Sequence, residues 1–141
     1  MAARHPLHPA LVHFPVACWS LATVADLASL HFGERAWWLG GILLLAGSTL
    51  ALPAMLAGLY ELALIPAGSP AMQTVYLHMG AMLVAFTLYL ASLLLRAQHF
   101  QLHRPGNASL AFDIAGFLAL AVGGWCGGRI VYHYGIGTRQ A

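Results

Sequence analysis

The chain has 141 residues, of which 60% are hydrophobic and 7% charged, with a mean hydropathy of +0.76. Soluble domains carry about 25% charged residues, so this composition excludes an ordinary soluble globule and defines a membrane protein. Six arginines, no lysine and four acids leave a formal net charge of +2, too small and too dispersed for a nucleic-acid surface.

The chain opens on His5-Pro6-Leu7-His8-Pro9-Ala10-Leu11-Val12-His13-Phe14-Pro15, which places three histidines and three prolines ahead of, and inside, the first apolar run. Proline at a helix start fixes φ where an amide would lack a partner anyway, and imidazoles near a membrane interior are costly unless paired or ligating. Four apolar runs follow, approximately Pro9–Phe32, Ala36–Ile65, Ala71–Ala97 and Ser109–Tyr134. Each reaches the roughly 20 residues that cross a hydrocarbon core, and lipid leaves a bare backbone no choice but to bond internally. Arg4 and Thr23-Val24-Ala25 imitate a secretory signal, but the first run is long for a signal core and His13 and Pro15 interrupt it, so it is read as a span.

Short connections at Gly33-Glu34-Arg35, Pro66 to Pro70 and Gln98 to Ala108 imply antiparallel neighbours. The expected architecture is therefore a single all-α domain, an up-down-up-down four-helix membrane bundle with both termini on one side. Arginines mark the two sides equally, Arg4, Arg129 and Arg139 against Arg35, Arg96 and Arg104. The compact basic loop from Arg96 to Arg104 tips the reading toward a cytoplasmic loop and periplasmic termini.

This topology gathers His8, His13, Glu61, His78, Arg129 and His133 at the terminal end. With a rise of 1.5 Å per residue, His78 lies about 10 Å and His13 about 6 Å inside the membrane boundary, so the two share a layer. Histidine in a membrane helix is a functional candidate by default. No two of the four histidines are three or four residues apart, and no cysteine pair or carboxylate-x-x-His motif accompanies them, so ligands must come from separate helices. Haem suits that pattern, because it takes one axial imidazole from each of two helices and needs small residues where the ring meets backbone. Gly116, Gly123, Gly124, Gly127 and Gly128 in the fourth run, with Gly80, Ala81 and Ala85 in the third, provide such residues; close helix packing requires the same ones. Arg129, beside Tyr132 and Tyr134, is a candidate for binding propionates.

Simpler roles stand beside these. His8 is equally an interfacial residue, and Glu61 is either a snorkelling carboxylate or an acceptor for a ligand imidazole N–H. Met79 and Met82 read as packing, Trp37, Trp38 and Trp125 as an aromatic belt, and Cys18 and Cys126 as small buried hydrophobes rather than a disulfide. The opposite end gathers Asp26, His31, Arg35, Arg96, His99, Arg104 and Asp113; Arg96 with either aspartate reads as a structural ion pair, and His99 and His103 read as solvated loop residues.

The stretches His8-Pro9-Ala10-Leu11-Val12-His13-Phe14-Pro15 and Gly127-Gly128-Arg129-Ile130-Val131-Tyr132-His133-Tyr134-Gly135-Ile136-Gly137 resemble the two signature ends of a bacterial membrane family labelled "domain of unknown function 2231", across essentially the whole chain. Arg129 stands where a leucine-like residue is common in that pattern, and Tyr134 intervenes before Gly135. The resemblance implies a small four-helix module of the bacterial inner membrane. Members joined to Rieske iron–sulfur domains imply a redox setting, and the matched positions are His8, His13, His78 and His133, with Glu61 a loose match.

The function expected from these residues is binding of one or two haem b groups in an electron-transfer module that works with quinone or a partner redox protein. The alternatives are a copper, zinc or iron binding or transfer protein using the same imidazoles, and a cofactor-free assembly subunit. No nucleophile–base arrangement points to bond-making chemistry. The lipid bilayer is the certain partner, and homo-oligomerisation is left open.

Overall fold

The computed structural model describes residues 7–99 and 101–137; Arg4, His5 and Arg139, which entered the reading above, lie outside the described residues. The first span consists of α1 (Leu7–Leu11) and α2 (His13–Phe32), followed by α3 (Glu34–Leu62), α4 (Met72–Arg96) and α5 (Asn107–Tyr132). All four spans are long and apolar enough to cross a membrane. Their ends fall within three residues of those expected from the apolar runs.

Two local features were not expected. The helical ladder of the first span is broken at Val12, because Pro15 lacks the amide that would bond the Leu11 carbonyl. Bonds from Val12 N–H to His8 O and from Val16 N–H to Val12 O keep the two pieces continuous. The connection between α4 and α5 carries a short antiparallel ladder, β1 (Ala97–Gln98) against β2 (Gln101–Leu102), with His99 at φ 50° at its turn. A single residue, Gly33, joins α2 to α3 at φ 69° and ψ −139°, a conformation open essentially to glycine alone.

α2 packs along α3 and α4 along α5, and these two hairpins meet along a sparser seam where α2 touches α5 and α3 touches α4; α1 lies on α3. Large leucines, valines and phenylalanines face outward, whereas the interior holds small and polar residues such as Ala22, Ala51, Ala85, Thr23, Ser92 and Asp113. Lipid gives no hydrophobic drive to bring helices together, so close contact and internal hydrogen bonds hold the bundle. At the centre the Trp19 and Tyr89 rings stack with centroids 5.1 Å apart, and the Tyr89 hydroxyl meets Thr23 Oγ1 at 3.0 Å.

The glycines of α5 divide by face. Gly116 lies against Tyr89, Gly123 against Met82 and Gly127 against His78, so this stripe carries the contact with α4. Gly124 and Gly128 have no such helix contact. Of the two overlapping glycine pairs legible in the sequence, only the one beginning at Gly123 is a packing seam.

Candidate functional site

At one end of the bundle, the start of α1, the end of α3, the start of α4 and the end of α5 come together around two histidines. His8 projects from α1 onto the stripe Ala54, Gly58 and Glu61 of α3. Its ring Nδ1 donates to the Ala54 carbonyl at 2.8 Å, and its main-chain N–H donates to Glu61 Oε1 at 3.0 Å. His78 projects from α4 onto α5, where its Nδ1 donates to the Gly123 carbonyl, also at 2.8 Å. A carbonyl can only accept, so each ring carries its proton on Nδ1; in the neutral ring the lone pair is then on Nε2.

The two settings share one construction. A helical carbonyl at position i already accepts from the amide at i+4, and the Cβ at i+4 leans back over that carbonyl. Glycine at i+4 removes the obstruction. Gly58 follows Ala54 by four residues and Gly127 follows Gly123 by four, and a Cβ would stand 2.9 Å from His8 Nδ1 at the first and 3.3 Å from His78 Cε1 at the second. The small residues thus admit an imidazole edge to a main-chain acceptor. The two rings meet edge-on across the seam between hairpins, with centroids 6.1 Å apart and planes at 86°.

The other sequence candidates are not brought into this cluster. His13, expected to share a layer with His78, is exposed on the outside of α2, because five residues separate it from His8 and helical phase turns it away. His133 is exposed just past α5 with its ring edge-on to Tyr134, centroids 4.6 Å apart. Arg129 is exposed too, its guanidinium 5.0 Å from the Trp125 ring centre, in an open groove shared with Gly128, Tyr132 and His133. That groove lies around α5 from the face on which Gly127 meets His78. Glu61 belongs to the cluster, where it accepts from the free main-chain amide of His8, neither of the two roles the sequence suggests for it.

The opposite end holds the most deeply buried charges of the described residues. Arg96, 1% exposed, pairs through Nη1 with Asp26 Oδ2 at 2.5 Å, and donates through Nη2 to the Trp37 carbonyl and through Nε to the His103 carbonyl. The expected ion pair is present, and Asp26 is its acid. Asp113 lies against the Asp26 carboxyl and, like Asp26, is 0% exposed. Gly40 makes room for this cluster, since a Cβ there would stand 2.1 Å from Asp26 Oδ1. Gly40→Ala should therefore cost about 1–3 kcal/mol, the usual range for overpacking, read as a lower midpoint in a detergent unfolding titration.

The site residues that sequence reasoning missed are Ala54, Gly58 and the Gly123 carbonyl. The only sequence signal for them is a small residue paired with a glycine four positions on.

The fold and its interior, apolar outside and polar within, are those of an all-α integral membrane four-helix bundle. The chain belongs to the family described as predicted membrane protein (DUF2231), whose model matches residues 4–140. No curated protein and no solved structure matches it.

Proposed function

We propose that the protein is a membrane haem b module of electron transfer in which His8 and His78 would hold the haem iron. The observation that carries this reading is the pairing of the two imidazoles across the seam, each oriented by a carbonyl on Nδ1 with Nε2 left for a metal. Such a bond fixes the ring, selects the tautomer and raises ligand basicity. Two protein imidazoles complete a haem iron, because the macrocycle brings four nitrogens of its own; a bare zinc ion draws three or four donors from the protein. The ring planes stand on separate hairpins, so a planar group held between them would sit in the seam. When bound, haem supplies one-electron transfer at its iron, and the protein's part is to ligate, orient and keep water away.

Electrons would pass to or from quinone or a partner redox protein at the membrane surface, with the module in the bacterial inner membrane and its termini on the periplasmic side. An absorption spectrum of the protein purified from cells fed a haem precursor tests this. The expected result is a Soret band that shifts on dithionite reduction, together with the sharp visible bands of a six-coordinate haem. A colourless protein with stoichiometric copper, zinc or iron would replace the haem reading with the bare-ion one. A protein with neither would leave an assembly subunit.

A further inference from the structure

Charge balance at the end of the bundle away from the histidine pair identifies a second site. Two carboxyls, Asp26 and Asp113, are buried with one guanidinium, Arg96. Asp26 Oδ2 is bonded to Arg96, but Asp26 Oδ1 and both oxygens of Asp113 receive no hydrogen bond from any described residue. Ser92 lies beside Asp113, yet its hydroxyl donates to the Ser109 carbonyl. The charged or titratable neighbours of Asp113 are Asp26 from α2 and Arg96 and Tyr89 from α4; α3 adds the Trp37 carbonyl, at Arg96, and Gly40, against Asp26.

If both carboxyls were ionised, the cluster would carry an uncompensated negative charge in a low-dielectric interior, with three acceptor oxygens lacking a donor. A buried group in that position binds a proton instead. One proton makes the cluster neutral and, donated from one carboxyl to its neighbour, leaves a single oxygen of the three without a donor. We propose that Asp26 and Asp113 form a proton-binding site that holds one proton between them, with Arg96 compensating the remaining negative charge. The ligand is a proton exchanged without any change in covalent bonding, and the site stands whether or not haem binds at the other end.

The test is infrared spectroscopy of the protein in lipid nanodiscs at neutral pH, with aspartate labelled by 13C at the side-chain carboxyl. Asp26 and Asp113 are the only aspartates in the chain, so a labelled acid band reports this cluster alone. The expected result is a protonated carboxylic acid C=O band that shifts with the label and in D2O. Asp113→Asn should abolish it, since the carboxyl left then balances Arg96 without a proton. Absence of a label-sensitive acid band in the unmodified protein overturns the proposal. So does a band that survives in folded Asp113→Asn. If that variant does not fold, the labelled band of the unmodified protein decides by itself.

Discussion

Replacing Arg96 with methionine is expected to destabilise the bundle by about 3–5 kcal/mol, the range for breaking a buried ion pair by removing one partner. Methionine keeps much of the length and flexibility of the stem, so the loss comes from the guanidinium. That group joins three parts of the structure: the Asp26 carboxylate of α2, the Trp37 carbonyl at the start of α3 and the His103 carbonyl of the loop before α5. Without it, three acceptors at this end of the bundle lose their donor, and the two carboxyls must both take protons to stay buried. The measurement is an unfolding titration in mixed micelles, with Asp113→Asn as control. The control exchanges a carboxyl read as neutral for a neutral amide of the same shape, and should fall within about 1 kcal/mol of the parent. An Arg96→Met protein as stable as the parent would show that the pair contributes nothing to holding the hairpins together.

The second large effect is expected at the other end. If the protein binds haem as proposed, His8→Ala and His78→Ala should each abolish its spectrum, whereas His13→Ala and His133→Ala should leave it unchanged. The contrast rests on placement. His8 and His78 meet edge-on with centroids 6.1 Å apart and Nδ1 engaged, while His13 and His133 are exposed on the outside. Gly58→Ala adds a graded test that leaves every histidine in place. Its Cβ would stand 2.9 Å from His8 Nδ1 and lift the ring from the Ala54 carbonyl, so haem affinity should fall by about 10–100-fold, as is typical when a ligand's orienting partner is lost. Loss of the spectrum in His13→Ala with retention in His8→Ala would reverse the ligand assignment.

Several of these features were legible without coordinates. Length and hydropathy of the four runs define four spans, because a bilayer imposes one minimum length and forbids unpaired backbone. The short connections then bring His8, Glu61 and His78 to one end and Asp26, Arg96 and Asp113 to the other. The end motifs identify the family, since its model matches residues 4–140.

What could not be read was the rotation of each helix about its own axis. In a soluble bundle an apolar stripe reveals the inward face, but these helices are apolar all round and carry no such stripe. Sequence spacing therefore could not tell His8 from His13, or the glycine pair beginning at Gly123 from the one beginning at Gly124. Packing made those choices. The contacts that distinguish them join residues 45 to 70 positions apart: His78 with Gly123, His8 with Ala54, Arg96 with Asp26. Each depends on a glycine or a carbonyl on a neighbouring helix that has no chemistry of its own until the helices meet. The sequence by itself determined the membrane setting, the number of spans and the end at which each polar group lies. Tertiary structure alone decided which of those groups touch, because only close helix contact, with no water to satisfy a polar atom elsewhere, selects one partner from several at the same depth.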